Sequence, residues 1–134
     1  MKTEVGSKSP ELHIVLSRIG WDLRRFEIDM ISQSAVISAM RDDGLWFFAR
    51  ADSVGEKGRG FIEVFRRSDS LGRQDNLRHG SRAPLTPLVN DEFILRYRFP
   101  GARSMLRGLC LFLVDNSNKE IAFEEVKQAL IASM

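Results

Sequence analysis

Residues 34–67 constrain the fold more than any other stretch of the chain. An apolar run, Ala35-Val36-Ile37, leads into Asp42-Asp43-Gly44 and then an aromatic run, Leu45-Trp46-Phe47-Phe48. After Gly58-Arg59-Gly60 comes Phe61-Ile62-Glu63-Val64-Phe65, which ends in Arg66-Arg67. Asp-Gly supplies the positive φ of a tight hairpin, and β-branched and aromatic residues suit a pleated surface. The second link is rich in glycine and charge, as a solvated connection must be. The pattern predicts a three-stranded antiparallel meander, and no catalytic motif accompanies it.

At 134 residues, 43% hydrophobic and 28% charged, the chain is expected to form one globular domain, since halves would be too small to bury adequate cores. Residues 1–8 read as a flexible tail and residues 9–134 as the domain. Lys plus Arg number 20 against 18 Asp plus Glu, a slight basic excess in which Arg dominates and clusters. The single Cys110 excludes an internal disulfide, and His13 and His79 are too few for a structural zinc site, so no metal or other cofactor is implied. With no apolar segment near the amino terminus and no run of roughly 18 uncharged residues, neither a leader nor a membrane span is expected. A reducing, intracellular setting fits best, cytosolic or nuclear.

Ser9, Pro10 and Glu11 open a helix as N-cap, first-turn proline and dipole-matched acid. Leu12, Val15, Leu16 and Ile19 give it one apolar stripe, and Gly20 closes it. Residues 21–31 support two periods: Phe26, Ile28 and Met30 alternate as in a strand, while Leu23, Phe26 and Met30 fit a helix. Residues 67–90 form a long, polar, Arg-rich loop with room for one short strand at residues 76–79. Along residues 91–99, Phe93, Leu95, Tyr97 and Phe99 alternate onto one face, with Arg96 and Arg98 on the other. Residues 109–114 are continuously apolar between Gly108 and Asp115-Asn116, the pattern of a central strand buried on both faces. Ser117 and Glu120 form a capping box for a last helix with the stripe Ala122, Phe123, Val126, Ala129 and Leu130. The expected class is α+β, an antiparallel sandwich or barrel of about seven strands with an amino-terminal helix and a packed carboxy-terminal helix.

That outline is the pleckstrin-homology-like superfold, which by itself says little about function. Over residues 12–134 the chain resembles the decapping protein 1 family, the activating subunit of the eukaryotic mRNA decapping complex. The similarity is carried by Ser34-Ala35-Val36-Ile37-Ser38-Ala39, with Trp46 following at the family's spacing. Gly60-Phe61-Ile62-Glu63-Val64-Phe65-Arg66-Arg67-Ser68 looks like the family's strand ending in a basic pair. Leu111-Phe112-Leu113-Val114-Asp115-Asn116 looks like its aromatic-centred strand running into the last helix. The resemblance implies a non-enzymatic adaptor of cytoplasmic mRNA-decay granules. Its first helix would dock the catalytic decapping subunit through Leu12, Val15, Leu16 and Ile19. A groove at Ile37, Trp46 and Phe112, matching family positions that usually hold Tyr, Trp and Trp, would take proline-rich coactivators. A flat indole stacks on a preformed polyproline helix at little entropic cost. The resemblance further implies that residues 21–31 are helical. Because the chain ends at the last helix, it also implies a monomer or a one-to-one heterodimer.

Each candidate site has a plainer reading beside it. Trp46 and Phe112 suit core packing as well as a groove. Arg66, Arg67, Arg73, Arg78 and Arg82 read first as solvated loop charges. The alternative function is a pleckstrin-homology-like module that holds RNA or phosphoinositide phosphates with those guanidinium forks, although the loop lacks stacking aromatics. A small hydrolase centred on His79, with Asp75 and Ser81 nearby, is a third reading, weakened because nothing in that loop positions a base. Asp42 and Asp43 read as turn formers rather than paired acids, and Cys110 as an inert buried thiol.

Overall fold

A computed structural model describes residues 10–29, 31, 34–52, 59–67 and 85–134. Among the described residues are α1 (Pro10–Arg18), β1 (Trp21–Asp29), β2 (Ser34–Arg41), β3 (Leu45–Asp52), β4 (Arg59–Arg66), β5 (Glu92–Phe99), α2 (Ala102–Asp115) and α3 (Phe123–Ser133). The strands form one antiparallel sheet in chain order, with the expected meander β2-β3-β4 at its centre. The class is α+β, with five described strands rather than about seven.

The β2–β3 hairpin turns as its residues dictate. Gly44 has φ +94°, its N–H donates to the Arg41 carbonyl at 3.0 Å, and Asp43 accepts the Leu45 N–H at 3.3 Å. Arg41 grips the Asp43 carboxylate through Nε and Nη2 at 2.9 and 2.7 Å. That grip, above all, lowers the Asp43 carboxyl to about 2. Gly44 also lets β4 come close: the Arg67 N–H donates to its carbonyl at 2.9 Å, and a Cβ there would lie 2.1 Å from the Arg67 oxygen.

Residues 21–29 are a strand, not the helix that the resemblance implies. The register with β2 shifts between Leu23 and Arg25, so Arg24 is an extra residue in the ladder. Trp21 and Leu23 before this bulge and Phe26 after it are all buried among the helices. The bulge spaces their apolar positions by two and then by three, which mimics a helical stripe. Residues 109–114 belong to α2 rather than to a central strand. Their run extends a buried stripe of Met105, Leu109, Phe112 and Leu113 at helical spacing, while Leu111 is exposed. In β5, Leu95 pairs with Val64 but Phe93 pairs with Phe65. The resulting bulge at Ile94 sends Phe93 to the face opposite Leu95 and Tyr97, where its ring meets Phe65 at 5.6 Å. Ser117 does not cap α3: its hydroxyl donates to the Lys119 carbonyl and lies 3.2 Å from the Val114 carbonyl in the last turn of α2, and α3 begins after an extended Ala122. The expected strand at residues 76–79, the Ser9 cap and the tail 1–8 lie outside the described residues.

The three described helices share one core on one side of the sheet. α1 packs on β1, α2 packs across β3, β4 and β5, and α3 leans on both other helices. Leu16, Phe47, Ile62, Leu109 and Val126 belong to the single core between them, and each such side chain contributes about 1.5–3 kcal/mol by leaving water. α2 is seated closely because Gly60 offers no side chain: a Cβ there would lie 2.8 Å from Met105 Cβ and 3.2 Å from the Gly101 carbonyl oxygen. The opposite face carries a smaller cluster of Met40, Trp46, Phe65 and Leu85.

Candidate functional site

Because α1 sits over β1 and α2 over β3 to β5, a groove of about 980 Å³ opens between α2, α3 and the neighbouring ends of β1 and β2. Its apolar lining includes Ile28, Ala35, Leu106, Phe123, Leu130 and Ile131. Arg103 and Arg107, one turn apart on α2, and Lys127 on α3 supply positive charge along it. Arg103 and Arg107 are exposed and make no ion pair among the described residues. Lys127 has a long 3.9 Å contact to Glu124, with both groups in water, so little of its charge is neutralised. Asp29, the one acidic side chain among the described lining residues, accepts the Ile31 N–H at 2.9 Å. α2 begins at an extended Gly101 with no side-chain cap and no acid in its first turn, so its free N–H groups add positive potential at the same end.

Cys110 also lines the groove. Burial pushes its thiol up to about 11, against a smaller opposing effect of the Lys127 charge, so it stays protonated near neutral pH and is a poor nucleophile. Among the described residues, no group of three or more His, Cys, Asp or Glu side chains could hold a metal ion. No described helix is long and apolar enough to cross a membrane.

The residues expected to form binding faces go elsewhere. Leu12, Val15, Leu16 and Ile19 are 1%, 9%, 0% and 2% exposed, so this stripe is core and not a docking surface. Ile37, Trp46 and Phe112 do not come together. Ile37 is buried in the helix-side core, and Phe112 packs there against Trp21 and Phe47 at 5.9 and 5.6 Å. Trp46 is fully buried on the far face, stacked on Phe65 at 4.4 Å. Neighbouring strand positions point to opposite faces, so Trp46 cannot share a slot with residues that pack beside Phe47. Its Nε1 is buried without a hydrogen-bond partner among the described residues, so it is not presented to an external peptide.

The two described arginines of the basic cluster also separate. Arg66 is exposed, 3.6 Å from Asp43. Arg67 is buried, donates from Nε and Nη2 to Asp91 at 3.1 Å each, and reaches the Thr86 carbonyl at 2.6 Å, so it is not a phosphate contact. Arg73, Arg78 and Arg82, and the Asp75, His79 and Ser81 trio, lie outside the described residues.

Sequence reasoning missed Arg103, Arg107 and Lys127. The signal that could have found them was the i, i+4 spacing of the two arginines beside the Ala102, Leu106 and Cys110 stripe, visible once residues 102–115 are read as one helix. No family model, curated protein or solved structure matches this chain.

Proposed function

We propose that the domain is a non-enzymatic adaptor and that the α2–α3 groove is its binding face. One observation carries this reading: among the described residues the groove joins an apolar interior to three cations, and its one thiol is held protonated. A concave, mostly apolar site with a few convergent polar groups is the usual form of a binding site. Its charged edge adds specificity and attraction rather than chemistry. The experiment places a photo-crosslinking amino acid at Arg107, and separately at Arg50 on the far face of the sheet, in the full chain inside cells. A discrete adduct from position 107 and none from position 50 is expected. Adducts only from position 50 would overturn the assignment of the face.

The narrower proposal is the decapping activator with a pleckstrin-homology-like domain, supported by the Ser34–Ala39, Trp46 and Gly60–Ser68 wording. With the Leu12 to Ile19 stripe and Trp46 internal, docking of a catalytic decapping subunit would use the groove. Its test is whether that subunit is the species cross-linked at position 107.

A further inference from the structure

We infer that the groove takes an acidic amphipathic helix of a partner protein, an inference that rests on the adaptor reading and names its ligand. The shape comes first. Phe123, Lys127, Leu130 and Ile131 line the groove from one end of α3 towards the other. An 11-residue helix such as α3 is roughly 16 Å long, which gives the trough about three turns. Its other wall is the first half of α2, so the trough runs beside two helices, the setting in which a third helix packs at interaxial distances of about 8–10 Å. The trough is open: Ile131 is 51% exposed, and Arg103 and Arg107 stand in water. An acyl chain laid there would keep one side wet along its length. An amphipathic helix puts its apolar stripe down and its polar face out, which suits an open trough better.

Charge then selects among helices. The whole chain is only +2, yet among the described residues three cationic side chains line this one concavity against one acidic side chain, Asp29, which is already hydrogen-bonded. Arg103 and Arg107 stand on one wall and Lys127 on the other, so both flanks of an occupant helix would face positive charge. The uncapped start of α2 adds the same sign. Acidic residues flanking the apolar stripe complement this arrangement, whereas basic ones are repelled.

The test displays a library of helical peptides with a fixed apolar stripe and randomised flanking residues against the full chain. Selected sequences are measured on the parent chain and on Arg103→Glu/Arg107→Glu, two exposed positions where the fold should persist. Enrichment of Asp and Glu flanks is expected, with a roughly tenfold or greater affinity loss in the double variant and a reversed preference for Lys flanks. Enrichment that ignores flank charge, or binding unchanged by the reversal, would overturn the inference. If no helix is enriched, the inference fails, and palmitate titrated against the Ile131 and Met134 methyl resonances decides the broader reading. Palmitate shifts there would keep the groove as a binding site of another class; none would remove both. Self-association abolished by the double variant would give the face to a second copy and also overturn the helix assignment.

Discussion

Arg67 and Arg66 are adjacent in sequence and opposite in energetic character. The Arg67 and Asp91 side chains are 1% and 2% exposed, so both charges have left water. The loss is offset by paired hydrogen bonds, the Thr86 carbonyl and the Trp46 ring, whose centroid lies 5.4 Å from the guanidinium carbon. Asp91 in turn accepts the Leu88 N–H at 2.9 Å, so the pair fastens residues 86–91 to the end of β4. Removing one partner strands the other. Arg67→Ala should therefore cost about 3–5 kcal/mol in urea unfolding, whereas Arg66→Ala, at the exposed contact, should cost about 0–1 kcal/mol. Replacing both partners together, as Arg67→Met/Asp91→Leu, should recover much of the loss. An Arg67→Ala chain as stable as the parent would mean that this pair is not what holds the segment.

At the scale of elements, the seating of α2 decides whether the groove exists, and Gly60 sets the seating. Alanine at position 60 would ordinarily gain about 0.5–1 kcal/mol by restricting the unfolded chain. Here its Cβ would meet Met105 Cβ and the Gly101 carbonyl, atoms at the root of a helix that cannot swing aside. Overpacking of this kind costs about 1–3 kcal/mol, so the collision should win and Gly60→Ala should lower the melting temperature. An unchanged or raised melting temperature would mean that α2 shifts freely and that the groove has no fixed width. The same elements explain what could be read in the sequence. The Asp43-Gly44 hairpin, the alternation of β2 to β4 and the left-handed close of α1 at Gly20 are local chemistry, and they appear as expected. β1 stayed ambiguous because the bulge at Arg24 breaks a period of two, and it was the family resemblance that pointed to helix, while α2 was obscured by Leu111, which makes a helical stripe look continuous over residues 109–114. The groove was unreadable for a further reason: Arg103, Lys127 and Ile28 meet only after three elements pack.

For the whole molecule, the sheet of described strands ends at β5. Phe93, Ile94 and Tyr97 are 53%, 40% and 43% exposed there, and no described strand pairs with its outer side. An apolar edge of this kind templates the addition of another strand unless something blunts it. Two devices do so here: the bulge at Ile94 interrupts the ladder, and Arg96 and Arg98 set charge between the aromatic residues, Arg96 being held by Glu63. Arg98→Val would leave Arg96 as the only charge between Ile94 and Phe99 and raise strand propensity at the same time. Light scattering of the concentrated protein should then rise faster than for the parent, while Ile94→Lys should slow it, with melting temperatures showing that both variants remain folded. Arg103→Glu/Arg107→Glu should leave the scattering unchanged, because both arginines lie on α2 and not on the β5 strand. If Arg98→Val scatters no faster and Ile94→Lys no slower, association does not run through β5, and its exposed aromatic residues need another explanation.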